Sequence, residues 1–191
     1  MMMTTLSRSS SRSALLTLVA VTCLLLTSCK NGAPDKPADK AAAEPARRPG
    51  APVSAAKVDT GFQLPSLDGR RLGPKSFPGQ VVVVDFWATW CMPCRIQAQI
   101  LEPIYQQYKG RGVQFLAADW GEGPDEVKKF LKEKPFPYPV LLDSDQAVGA
   151  KLGLTALPTL MVLSKKGEVV YFESGLVDAD SLHEILRKAG A

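Results

Sequence analysis

Fourteen consecutive residues, Val81–Cys94 (V-V-V-V-D-F-W-A-T-W-C-M-P-C), constrain this chain more than any other stretch. Four valines in a row have no polar face, so the strand they begin, predicted over Val81–Phe86, is a central one covered on both sides. The run ends in aromatics, and two cysteines spaced by two residues follow where a strand would hand over to a helix. Pro93 suits the start of that helix, where its missing N–H costs no hydrogen bond. Both sulfurs then lie in the first turn. Cys91 is expected to meet solvent and the positive end of the helix dipole, with Cys94 one turn further in and more buried.

A thiol attacks as its thiolate, and a free cysteine, with a pKa of about 8.5, is mostly protonated at neutral pH. The unpaired N–H groups of a helix N-terminus favour the anion. Cys91 is thus the expected attacking thiol, Cys94 resolves the mixed disulfide, and Met92 between them adds no charge. Other uses of the pair fit less well. A zinc site needs four ligands, and here one pair stands with a single distant His183. Haem attachment needs His after the second cysteine, where Arg95 stands. A disulfide closing so small a loop removes little chain entropy, which argues against a purely structural bridge. Copper(I) held by the two thiolates stays open. The redox reading requires no cofactor and no metal. Trp120, Met161 and His183 are expected in the core or at the surface rather than as ligands.

The rest of the chain supplies context. The net charge of +4 over 191 residues is uneven. Residues 1–57 carry eight Lys or Arg against three acids, and residues 58–191 carry fifteen against sixteen. The folded part therefore gives no ground for nucleic-acid binding. Residues 1–28 read as a signal peptide: Arg8 and Arg12, then an uncharged apolar run from Ala14 to Leu26, too short to span a bilayer comfortably. Leu26-Thr27-Ser28-Cys29 resembles the lipobox of bacterial lipoproteins, which implies acylation of Cys29 and a membrane anchor. Cys23 lies inside the apolar run and leaves with the leader. Residues 29–57, rich in Ala, Pro and charge, read as a disordered tether. The domain is placed at 58–191.

Within that domain Phe62, Leu64 and Leu67 alternate up to an Asp68-Gly69 turn, and Leu72 resumes, a small hairpin. After Cys94 a helix is predicted to carry Ile96, Ile100, Ile104 and Tyr108 on one face as far as Gly110, with a kink at Pro103. A strand over Val113–Ala117, a loop over Gly121–Pro124 and a helix from Asp125 follow. Pro135, Pro137 and Pro139 exclude a helix ahead of a short strand at Val140–Leu142. Then come a helix over Gln146–Leu152, an antiparallel hairpin of Thr159–Leu163 and Val169–Phe172, and a last helix capped by Asp178. Alternation of this kind implies an α/β fold with a mixed sheet and helices on both faces.

Asp85-Phe86-Trp87-Ala88-Thr89-Trp90-Cys91-Met92-Pro93-Cys94, with Leu157-Pro158-Thr159 downstream, resembles the thioredoxin superfamily. The leader, the opening hairpin and the helix after Pro124 make it similar to the TlpA/ResA-like extracytoplasmic thioredoxins, over about residues 60–189. The resemblance implies a thioredoxin fold with an inserted β-α element and a cis-proline at Pro158 facing the cysteines. It also implies substrate contacts at Trp90, Leu157 and Pro158, with Leu157 offering backbone hydrogen bonds. Asp85 matches the buried acid of thioredoxins proper, where the TlpA/ResA-like group more often has Asn. The Glu that this group often carries three residues after the second cysteine is Gln97 here. The helix proline of thioredoxins, five residues after that cysteine, is replaced by Gln99, and a proline stands instead at Pro103. Peroxiredoxin chemistry wants Thr or Ser three residues before the cysteine, where Ala88 stands. Burial should raise the pKa of Asp85 and make it proton acceptor for Cys94.

The function expected is that of an extracytoplasmic, lipid-anchored protein-disulfide reductase, monomeric, fed by a membrane electron donor. By resemblance, its substrates are apocytochromes c or copper-site cysteines. The alternatives are a copper(I) metallochaperone and a disulfide-forming oxidant.

Overall fold

The structure, a computed structural model, describes residues 58–191. The leader over 1–28 and the tether over 29–57, with Cys23 and Cys29, lie outside the described residues.

Seven strands and four helices alternate along the described chain. A two-stranded antiparallel hairpin, β1 (Leu64–Pro65) and β2 (Arg71–Leu72), turns at Asp68-Gly69, where Gly69 takes a positive φ of 86°. A 3₁₀ turn at Pro74–Ser76, which no sequence signal announced, precedes β3 (Val81–Trp87). Then come α1 (Met92–Tyr108), β4 (Val113–Trp120), α2 (Pro124–Glu133), β5 (Val140–Asp143) and α3 (Ala147–Leu152). The chain finishes with β6 (Thr159–Leu163), β7 (Val169–Ser174) and α4 (Ala179–Ala189), the last N-capped by the Asp178 carboxylate, which accepts the Ser181 N–H at 2.9 Å.

The main sheet has the order β5-β4-β3-β6-β7. The strand β3 is its centre, parallel to β4 and antiparallel to β6, and every one of its seven residues is buried. Each valine so covered contributes about 1.5–3 kcal/mol. Val82, Val84 and Phe86 face a layer formed by the hairpin and α3, through Leu64, Leu72 and Leu152. Val81, Val83 and Trp87 face the layer of α1 and α4, through Cys94, Leu101, Ile104, Leu182 and Leu186. Helices on both faces of a mixed sheet, with an added hairpin, are the architecture expected.

Two local expectations are corrected. The buried stripe of α1 is Cys94, Gln97, Leu101 and Ile104, while Ile96 is half exposed. Gln97 can take a core position because both ends of its amide are satisfied: Oε1 accepts the Val177 N–H at 2.8 Å and Nε2 donates to the Val177 carbonyl at 3.3 Å. That pair of bonds fastens α1 to the segment entering α4. The strand β4 runs three residues past the expected Ala117, because Ala118, Asp119 and Trp120 continue the pairing with β5. The helix α1 continues through Pro103 to Tyr108.

Candidate functional site

At its C-terminal end β3 gives way to a tight turn in which the Cys91 N–H donates to the Ala88 carbonyl at 3.1 Å. Cys91 then serves as N-cap of α1, with extended backbone geometry, and Pro93 stands in the first turn. The Cys91 Sγ accepts the Cys94 N–H at 3.2 Å, so the sulfur occupies the place where helix N-termini offer unpaired donors. Cys91 and Cys94 are joined in a disulfide. The expectation that Cys91 meets solvent is corrected for this oxidised form: it is 4% exposed, against 2% for Cys94. The neighbours of Cys91, Trp90 and Met92, stand out into solvent, 64% and 63% exposed.

The cis peptide bond Leu157–Pro158 sits at the same end of the sheet. Thr159 pairs with Phe86, so Pro158 comes opposite the end of β3, from which the Ala88–Cys91 turn departs. The Pro158 carbonyl accepts the Gly175 N–H at 2.8 Å. Leu176, the next residue, is half exposed, and Leu157 is partly buried. Trp90, Leu157 and Pro158 therefore share one end of the fold with the disulfide, and Met92 and Leu176 extend the apolar rim. Leu176 was missed in the sequence because a leucine between a glycine and a helix cap reads as an ordinary loop residue.

Asp85 lies on β3 beneath this end. Strand alternation puts it on the same face as Val83 and Trp87, toward α1 and Cys94. It does not reach solvent: the residue is 1% exposed, and neither carboxylate oxygen has a hydrogen-bond partner. Burial pushes its pKa up to about 7. Its sheet neighbours are Leu160 and the small Ala117. Beyond Ala117 the buried Tyr138 carries a hydroxyl that is also unpartnered, and its pKa is raised well above the usual phenol value, first by burial and then by the charges of Asp85 and Glu102. A groove of about 410 Å³ opens beside Cys94, lined in part by Trp87, Arg95, Glu102, Phe130 and Phe136. Met161 is buried in the opposite core layer, and His183 is half buried on α4, its Nδ1 3.2 Å from the Tyr108 hydroxyl.

Such an arrangement can pass two electrons between a dithiol and a disulfide. The groups for it are a sulfur at a helix N-terminus, a second sulfur within bonding reach, and an acid titrating near neutrality on the side of the second.

Comparison with known proteins agrees. Residues 48–186 match the redoxin family model. The chain is 32% identical over 127 residues to the thiol-disulfide oxidoreductase ResA of Bacillus thuringiensis subsp. konkukian, covering 66% of this chain and 73% of that protein. With ResA of Bacillus subtilis the identity is 30% over 125 residues, covering 65% and 70%. A thiol:disulfide interchange protein DsbE of Chlorobium tepidum superposes with a TM-score of 0.62 at 28% identity, covering 67% of this chain and 92% of that one.

Proposed function

Since this chain belongs to the redoxin family, as a TlpA/ResA-like member of the thioredoxin superfamily and a thiol-disulfide oxidoreductase, we propose that it acts as a reductant of protein disulfides outside the cytoplasm. The single observation that carries the assignment of roles is the pairing of an N-capping Cys91 with a fully buried, unpartnered Asp85 on the side of Cys94.

In the reduced protein the Cys91 thiolate attacks one sulfur of a substrate disulfide. A mixed disulfide forms, and the other substrate sulfur leaves as a thiolate that takes up a proton. Asp85 then accepts the proton of Cys94. The Cys94 thiolate attacks the Cys91 sulfur, which closes the Cys91–Cys94 bond and expels the second substrate sulfur as a thiolate; that thiolate takes up a proton as Asp85 gives its own back. Two electrons and two protons have gone to the substrate, and a membrane electron donor restores the dithiol. An acid with a pKa of about 7 suits this step, because it is substantially ionised at neutral pH yet basic enough to take a thiol proton.

Trp90 and Leu157, with Met92 and Leu176 beside them and the buried Pro158 beneath, form the surface on which a substrate chain lies. Acylation of Cys29 holds the domain (58–191) at a membrane through the tether over 29–57, and Cys23 is lost with the leader. The substrates are extracytoplasmic proteins whose cysteines must be reduced before use, such as apocytochromes c or copper-site proteins. The protein works as a monomer.

Cys94→Ser tests this directly. The variant should accumulate mixed disulfides through Cys91, and mass spectrometry of the trapped partner names the substrate. A variant that traps nothing in its own extracytoplasmic compartment would overturn the reading. A reduction potential near −120 mV instead of roughly −270 mV would make the protein an oxidant.

A further inference from the structure

The turn in front of Cys91 is held by a residue from another part of the chain. Glu122, in the loop between β4 and α2, accepts the Thr89 N–H at 2.5 Å with one carboxylate oxygen and the Thr89 hydroxyl at 2.5 Å with the other. The Thr89 carbonyl accepts Nη2 of Arg95 at 3.1 Å, and that guanidinium also lies over the Phe130 ring. Every polar group of Thr89 is thus engaged from outside the turn. Glu122 is itself fixed at both ends of its backbone. Its N–H donates to Asp119 Oδ1 at 3.1 Å, and its carbonyl accepts the Ser144 hydroxyl at 2.7 Å. The turn is closed by the Cys91 N–H to Ala88 carbonyl bond, and Thr89 and Trp90 are the two residues inside it. Trp90 is mostly in solvent, whereas Thr89 ties the turn to the loop between β4 and α2.

We propose that Glu122 is a positioning residue for disulfide exchange: it holds the Ala88–Cys91 turn through Thr89, and its charge, bonded to the residue two before Cys91, keeps the dithiol a strong electron donor. The second half rests on the reductant reading above. A negative charge beside Cys91 disfavours the thiolate and so the reduced form, which shifts the pair toward giving electrons up. The surrounding charges sharpen the case. From α1 come the helix dipole and Arg95, which favour the thiolate. From β3 comes Asp85, beneath the pair. Asp119, at the end of β4, is pushed up to about 8, first by burial and then by the Glu122 carboxylate beside it. Asp143, at the end of β5, has its carboxylate taken by two backbone N–H groups. Glu122 is the acid of this end whose oxygens are spent on the turn itself.

The test compares the reduced protein with Glu122→Gln and Glu122→Ala. The Gln variant keeps an acceptor for the Thr89 N–H and loses the charge. The pH midpoint of Cys91 alkylation, read peptide by peptide, should fall by about half a unit. At a pH above both midpoints the equilibrium with glutathione should shift roughly threefold toward the dithiol. The Ala variant loses the clamp as well, and its exchange rate per Cys91 thiolate should fall about tenfold, with the Gln variant recovering most of that loss. A Cys91 midpoint in Glu122→Gln equal to or above that of the wild type would overturn the charge effect. An Ala variant as fast per thiolate as the wild type would overturn the positioning. Should Glu122→Ala fail to fold, the Gln comparison still decides the charge effect, and Thr89→Ala, which removes the hydroxyl contact alone, decides the positioning by the same rate. These are differences between variants, so they stand even if the wild-type potential shows an oxidant, in which case only the direction of its use would fail.

Discussion

Asp85 and Asp143 are both strand aspartates of the central sheet and both are out of contact with water, yet their surroundings are opposite. Asp143, the last residue of β5, points its oxygens at the first turn of α3 and accepts the Val148 N–H at 3.0 Å and the Gly149 N–H at 2.7 Å. Gly149 permits the close approach, since a Cβ there would collide with the Trp120 indole nitrogen. Asp85, in β3, is offered no donor at all. A buried carboxylate that is given donors becomes a structural tie. One that is denied them is held near its titration point and becomes able to move a proton. Asp119 has one oxygen of each kind, Oδ1 bonded to the Glu122 N–H and Oδ2 unpartnered, and its pKa is pushed up to about 8 first by burial and then by the neighbouring Glu122 carboxylate, which Asp85 lacks.

The contrast can be broken most sharply by pH. With its pKa at about 7, Asp85 stays protonated in the fold over a range in which the unfolded chain ionises it. It costs nothing below about pH 4, and stability falls as pH climbs from there through 7, by roughly 4 kcal/mol in all. Urea unfolding of Asp85→Asn should therefore match the wild type's pH trend in acid and lose this decline above it. Equal slopes for the two proteins between pH 4 and 8 would show that Asp85 is not strained by burial.

A somewhat smaller effect is expected at the other aspartate. Asp143→Ala leaves two N–H groups of α3 without acceptors and should lower stability by roughly 3 kcal/mol at neutral pH, while the exchange rate per folded molecule holds. A loss of rate without a loss of stability would erase the distinction between the two residues. Third, Asp85→Asn should slow release of substrate from the Cys91 mixed disulfide about 100-fold at pH 7, in stopped-flow measurement with a model disulfide. Resolution at the wild-type rate across the pH range would remove Asp85 from the mechanism.

The frame of the fold was legible because it rests on local chemistry. The valine run could be nothing but a central strand, the prolines after Glu133 stopped a helix, and the Asp68-Gly69 turn set the hairpin. The thiol pair was legible for the same reason, since three residues of spacing on a helix start place two sulfurs together whatever surrounds them. Other features were not. Ile96 looked like the core residue and Gln97 like its polar neighbour. The order is reversed because Val177, eighty positions away, satisfies the amide and lets it be buried. Glu122 lay unremarked in the loop expected over Gly121–Pro124, and only the distance to Thr89 gives it a use.

Val81–Cys94 thus carries its own strand, its own helix start and its own reactive pair, since backbone propensity and hydrophobic pattern act over a few residues. Whether Asp85 would find a donor, how far Cys91 would be covered, and what would hold the turn before it depended on groups distant in the chain. Burial and hydrogen bonding are properties of neighbours in space, and those neighbours exist only once the sheet has brought β4, β5 and β6 around β3.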